Sequence, residues 1–279
     1  MRARSGWLPS WDGTWLFWRA WEAAEPRGAL LVVHGLGEHG GRYERLADAM
    51  VPRGWSCWAV DLRGMGVSEG RRGHLDRWTD WVGDVRRFHE LVATEVGDRE
   101  IVPLGHSFGG VVVTSAVLSG DLHPGRFVLS NPAFRLRDRV PLTKVLLGRA
   151  ADRAVPALTL PSGLDPEALA RDPAVAAAYR ADPLVHDRIS ARLFAEWKTA
   201  ARDALRLAPR LEVPFLLLVS GGDRLVDHTG SLELDRRASC GHALRLYPEA
   251  GHEPFNDLDA DTAYRDLTEW LEDAPDRPG

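Results

Sequence analysis

Short runs that are apolar on both faces alternate along this chain with longer stretches whose apolar residues return every three or four positions. The runs fall at 29–33, 56–60, 101–104, 126–130, 215–219 and 243–247. Strands buried on both faces and separated by helices predict a mostly parallel, doubly wound sheet covered by helices, an α/β fold. The helical-period stretches are 43–51, 78–96, 108–118, 229–238 and 262–271. Ahead of the first run, five of the eleven tryptophans crowd into the first 21 residues around Asp12-Gly13, a dipeptide suited to a type I′ turn. That pattern predicts an opening hairpin at the sheet edge, with Trp15, Phe17, Arg19 and Trp21 on one aromatic face.

The alternation breaks once. From 131 to 213 no strand-like run occurs, although a plain crossover needs little more than one helix and two loops. Helical stretches near 140–151, 166–179 and 189–207, broken by Pro156, Pro161 and Pro183, predict an inserted helical cap. The expected organisation is therefore a core made of 1–130 and 214–279 with a cap at 131–213, and a frayed tail from 273 onward.

At 279 residues, 44% hydrophobic and 27% charged, the chain can bury one sizeable core, which excludes a disordered or fibrous protein. The net charge is −5 and the basic residues are scattered singly, so the basic stripe that nucleic-acid binding requires is missing. Cys57 and Cys240 form neither a disulfide framework nor a zinc spacing, and Cys57 reads as core. The first residues lack the apolar run of a signal peptide and no 18-residue apolar stretch occurs, so a soluble, cytoplasmic protein is expected.

The chemistry begins at Gly105-His106-Ser107-Phe108-Gly109, which follows one predicted strand and opens a helix. This is a nucleophile elbow, G-x-S-x-G: its glycines leave room for a serine held in a strained turn above the carboxyl ends of the strands. A serine hydroxyl needs an imidazole as base and a carboxylate to orient that base. Asp223 lies just past the 215–219 run and His252 just past the 243–247 run, in the order Ser, Asp, His that suits this fold. Asp227 is the competing acid. His106 is expected to point away from Ser107 as a structural residue. Two N–H groups must meet the oxygen of the tetrahedral intermediate; Phe108 supplies one, and Leu36, in His34-Gly35-Leu36-Gly37-Glu38-His39, is the candidate for the other. His34 reads as a hydrogen-bonding residue beneath that loop, and Asp61 as a turn-stabilising aspartate, since the glycines after it do not have phosphate-loop spacing. No metal ligands or cofactor motif are found, so none is expected.

Taken together, the motifs resemble the monoacylglycerol lipase and lysophospholipase family of α/β-hydrolases. The matching residues are HGLGEHGGRYE from His34, the loop from Asp61 to Gly70, GHSFGG from Gly105, Tyr179 with Asp182-Pro183-Leu184, PFLLL from Pro214, Gly222-Asp223-Arg224-Leu225, and Gly251-His252. The resemblance implies a metal-independent serine hydrolase acting on small acyl esters of glycerol or related alcohols, with a helical cap forming an acyl tunnel. It carries over Ser107, Asp223 and His252 as the triad and Leu36 and Phe108 as oxyanion donors, and it places Glu38, Arg42 and Tyr179 near the alcohol pocket. It also implies transient contact of the cap with a lipid interface, where aliphatic and basic residues interleave between 134 and 160. The sequence departs from the mammalian members in having Phe255 where they carry a polar residue and in lacking their cap cysteine. Two other readings stay open: an aminopeptidase of the same superfamily, which requires an acidic cluster in the cap, and a non-catalytic ligand-binding relative.

Overall fold

A computed structural model describes residues 1–137, 148 and 150–273. Eight strands make one sheet in the order β1 (Arg2–Pro9), β2 (Trp15–Glu22), β4 (Trp55–Val60), β3 (Gly28–Val33), β5 (Glu100–His106), β6 (Phe127–Ser130), β9 (Phe215–Ser220) and β10 (His242–Tyr247). From β4 to β10 all neighbours are parallel, while β1 and β2 are joined antiparallel and β2 lies antiparallel to β4. The chain therefore winds outward from β3 to β4 and then returns to lay β5 on the other flank of β3. At such a reversal the loops leaving the two central strands diverge and open a crevice, and Ser107 sits at that point.

Two apolar layers sandwich the sheet. One is covered by α2 (Trp78–Val96), α3 (Phe108–Ser119) and α5 (Ala191–Leu207), the other by α1 (Glu44–Met50) and α7 (Ala260–Glu272). Local signals start these helices where the periodicity places them. The Asp80 side chain returns to the Arg77 N–H at the head of α2, and the Ser190 hydroxyl accepts the Leu193 N–H at the head of α5. Two further helices are α4 (Pro173–Ala181) and α6 (Thr229–Arg237).

The structure differs from the sequence reading in four places. The opening hairpin forms, but its register pairs Pro9 with Trp15, leaving a five-residue loop instead of a two-residue turn; Gly13 alone takes positive φ (88°) there. Arg63 clamps the loop through Asp12, which tertiary contact overrides the local turn preference. The face of β2 that packs into the first core layer is Leu16, Trp18 and Ala20; the other face keeps a Trp7–Phe17 edge-to-face pair and leaves Trp15 exposed, and only Trp21 of its aromatics joins the second layer. Strand β10 is half-exposed because it is an edge strand. Finally, the insertion contains a two-stranded ribbon, β7 (Thr159–Pro161) with β8 (Arg188–Ser190), too short for a periodicity signal.

Within the insertion, α5 buries Leu193, Trp197 and Ala201 in the same layer as α2 and α3, so it serves as the crossover helix between β6 and β9. The stretch 140–151 expected to be helical, and the tail after 273, lie largely outside the described residues.

Candidate active site

The elbow is shaped by backbone sterics. Ser107 has φ 53° and ψ −119°, a conformation costly for a residue with a Cβ, and it persists because its surroundings over-determine it. The Ser107 N–H donates to Ser130 O at 3.0 Å and its carbonyl accepts the Ala133 N–H at 2.9 Å, fastening the turn to β6. A Cβ on Gly109 would lie 2.0 Å from the Val33 carbonyl oxygen, and one on Gly105 2.5 Å from the Gly109 carbonyl oxygen, so both flanking positions admit glycine only.

Asp223 and His252 meet above β9 and β10. Asp223 Oδ2 accepts from His252 Nδ1 at 2.7 Å, and Asp223 Oδ1 accepts the N–H groups of Leu225 and Val226 at 2.8 and 2.9 Å. Both side chains are buried. Burial alone would lower the His252 pKa, but the Asp223 charge and hydrogen bond outweigh it and raise the group above its ordinary 6.5. Burial works equally against the Asp223 carboxylate, yet His252 and the two backbone donors hold it below the ordinary range. The competing acid is engaged elsewhere: Asp227 accepts the Thr229 N–H at 3.0 Å, at the head of α6.

His106 turns under the sheet, with Nδ1 3.1 Å from Ser130 O, while its ring packs 4.7 Å from the ring of His252. Desolvation, followed by the nearby His252, pushes His106 down to about 4, so this partner is neutral at physiological pH. It forms an uncharged neighbour for the His252 imidazole.

The loop leaving β3 lies against the elbow: a Cβ on Gly35 would be 3.2 Å from Ser107 Cβ. His34 accepts the Leu62 N–H on Nε2 at 2.9 Å and, with Nδ1 thereby protonated, donates to Gly35 O at 2.7 Å. Among the described residues the Leu36 N–H meets no protein acceptor. Phe108, the other expected donor, stacks its ring on Trp197 of α5 at 4.9 Å, which fixes the first turn of α3. Asp61 ties its own loop together by accepting from Gly40 N and Val67 N at 2.8 and 2.9 Å.

Glu38, Arg42 and Tyr179 come together in one buried network. Arg42 Nη1 donates to Glu38 Oε2 at 2.5 Å, and its guanidinium lies 4.9 Å over the Tyr179 ring. Glu38 Oε1 accepts the Gly35 N–H at 2.6 Å and the Tyr43 hydroxyl at 3.0 Å. Burial opposes ionisation of Glu38, but the Arg42 charge prevails and brings its pKa down to about 2. Phe255 turns into the second apolar layer and stacks on Tyr264. His39 bonds to Asp182 at the end of α4 at 2.7 Å, and the His186 N–H donates to Gly37 O at 2.9 Å, so the insertion is fastened to the loop after β3.

Three supporting residues escaped the sequence reading. Glu253 accepts from both terminal nitrogens of Arg42. Asn131, at φ 42°, donates to His252 O at 2.7 Å and to Ser220 Oγ at 2.8 Å. Asp257 accepts the Gly251 N–H and holds Arg171 at 3.0 Å. Only Asn131-Pro132 carried a local signal, as a turn-prone pair tolerant of positive φ. The carboxylates act over long sequence separation and leave none.

A strained serine at a strand-to-helix turn, a buried imidazole–carboxylate pair and a loop from β3 define the α/β-hydrolase class. Residues 24–259 match the model of the family described as serine aminopeptidase, S33. The chain is 34% identical over 255 residues to a monoacylglycerol lipase of Mycolicibacterium smegmatis, covering 88% of this chain and 89% of that one. It is 30% identical over 269 residues to the human monoglyceride lipase, covering 93% and 88%. The crystal structure of a Paleococcus ferrophilus monoacylglycerol lipase superposes with a TM-score of 0.82 at 32% identity, over 92% of this chain and 98% of the other. The chain belongs to this serine hydrolase family.

Proposed function

We propose that the chain hydrolyses the ester bond of monoacylglycerols, with Ser107 as nucleophile, His252 as base and Asp223 as the acid that orients it. The observation that carries this reading is the buried 2.7 Å Asp223–His252 pair in a chain that also holds Ser107 in strained elbow geometry. In the first half-reaction Ser107 Oγ bonds to the acyl carbon as its proton passes to His252 Nε2, and the ester C–O bond then breaks as glycerol leaves with that proton. In the second, water gives a proton to His252 and bonds to the acyl carbon; the bond from that carbon to Ser107 Oγ then breaks as Oγ takes the proton back from His252, and fatty acid departs. The N–H groups of Leu36 and Phe108 face the oxyanion in both.

The identities of the relatives support the monoacylglycerol substrate. Glu38 and Arg42, engaged with each other and with Tyr43 and Glu253, act together with Tyr179 as a wall of the alcohol pocket. The insertion, 131–213, acts as a cap whose aliphatic and basic residues rest transiently on a lipid interface, with α5 bound into the core. Among the described residues no helix is long and apolar enough to cross a membrane. The unpaired thiols Cys57 and Cys240 suit the reducing cytoplasm.

A fluorophosphonate probe should label Ser107, and Ser107→Ala should abolish both labelling and release of fatty acid from monoacylglycerol. Retained turnover in that variant refutes the mechanism; labelling and short-ester hydrolysis without monoacylglycerol turnover refutes the substrate.

A further inference from the structure

Glu253 follows His252 directly in the chain, and its side chain is as buried as the imidazole itself. Its carboxylate meets the Arg42 guanidinium end-on, with Oε1 2.7 Å from Nη1 and Oε2 2.9 Å from Nη2. The second oxygen also accepts from Asn256 Nδ2 at 2.9 Å. Arg42 passes the connection to Glu38, and Glu38 holds the Gly35 N–H. A continuous path of three buried charged side chains therefore runs from the residue after His252 to the residue before Leu36, bridging two loops that are far apart in sequence.

The charge of this path does not balance. Two carboxylates share one guanidinium, so a net negative charge is buried beside the imidazole. A bidentate ion pair needs only one carboxylate, and burying a surplus charge costs stability. Stability alone is served better by a neutral residue at either acidic position. The surplus carboxylate becomes useful when His252 takes the serine proton and turns cationic, because it then faces a positive charge in a dry site.

On the serine-hydrolase reading proposed above, we infer that Glu253 is a positioning residue: through Arg42 and Glu38 it holds the His252 loop and the Gly35–Leu36 loop in one frame, and its charge favours the imidazolium formed during the reaction. It acts through other groups and does not touch the reacting atoms. Its backbone N–H donates to Leu169 O of the insertion at 2.7 Å, so the same residue also fixes where the insertion meets the site.

The test compares Glu253→Gln and Glu253→Asp with the wild-type enzyme on a soluble p-nitrophenyl ester, recording kcat, KM, the pH profile of kcat/KM and the melting temperature. Glutamine keeps the shape, loses the charge and turns an amide toward Arg42. It should lower kcat about 10- to 100-fold with KM within about twofold, as small misplacements of reacting groups do. It should also move the acid limb to lower pH, because the protonated imidazole loses a favourable charge. Aspartate keeps the charge but shortens the reach, so it should lower kcat while leaving the acid limb near the wild-type position. A purely structural Glu253 changes the melting temperature without moving the limb. Wild-type kcat and an unmoved limb in Glu253→Gln overturn the inference, and if that variant does not fold, an aspartate variant with wild-type kcat does so instead. Ser107→Ala assayed alongside separates the two claims: activity there sinks the serine mechanism, whereas an inactive Ser107→Ala with an indifferent Glu253→Gln sinks only this inference.

Discussion

Replacing Asp223 by asparagine tests the orientation of the base with almost no change of volume. Its effect follows from the two sides of the carboxylate. Oδ1 faces two N–H donors, those of Leu225 and Val226, whereas Oδ2 faces only His252 Nδ1. An asparagine amide must place its NH₂ on one side, and two fixed donors exclude it from the first. It therefore turns toward His252, where it donates to Nδ1 and drives the proton to Nε2, the nitrogen that must accept from Ser107. Catalysis then requires the disfavoured tautomer, and in triads of this geometry that costs a factor of about 10⁴ in kcat, equivalent to about 5.5 kcal/mol of barrier. Steady-state hydrolysis of p-nitrophenyl butyrate near pH 8, with burst amplitude to count active sites, measures the loss directly. Asp227→Asn provides the control and should stay within about threefold of wild type, since its carboxylate only accepts the Thr229 N–H, away from His252. A variant at position 223 retaining a tenth or more of wild-type kcat refutes the tautomer reasoning, and a larger loss at 227 reassigns the acid.

His252 serves as base only when neutral, and Asp223 raises its pKa, so kcat/KM should climb with pH through a midpoint above the ordinary 6.5; a midpoint below that value contradicts the pairing. The sign for stability is opposite: the raised pKa contributes stability that is full below 6.5 and is lost as pH rises through the folded-state value, so mutating either partner should narrow the gap in melting temperature on the alkaline side. His106 works against acid: neutral and buried with a pKa of about 4, it makes the fold lose stability as pH falls from 6.5 toward that value, which His106→Gln should relieve in acid melts. Gly109→Ala should leave little folded, active enzyme, because its Cβ would fall 2.0 Å from the Val33 carbonyl oxygen; a wild-type melting temperature with normal probe labelling contradicts the steric account of the elbow.

Much of this molecule is legible in the chain itself. The strands follow from apolar runs that a buried parallel sheet enforces on its interior members, β10 at the edge being half-exposed, and α2 begins and ends where its pattern does. The elbow is legible because its requirement is local: glycines must flank the serine whatever the rest of the protein does. Asp223 and His252 could be named because strand ends in this architecture deliver their loops to one edge, so position past a strand stands in for position in space.

Tertiary structure alone decided what depends on partners distant in sequence. The hairpin loop is five residues long because Arg63 reaches Asp12, and Trp15 faces outward because β2 borders β4 in one register only. The helix 191–207 joins the core because Trp197 meets Phe108, a contact no periodicity announces. Arg42 is drawn away from a free binding role by Glu253, which lies 211 positions further along the chain. An ion pair leaves no pattern on either flanking sequence, since its energy depends on distance and burial, and both are set only after the sheet has brought the two loops together.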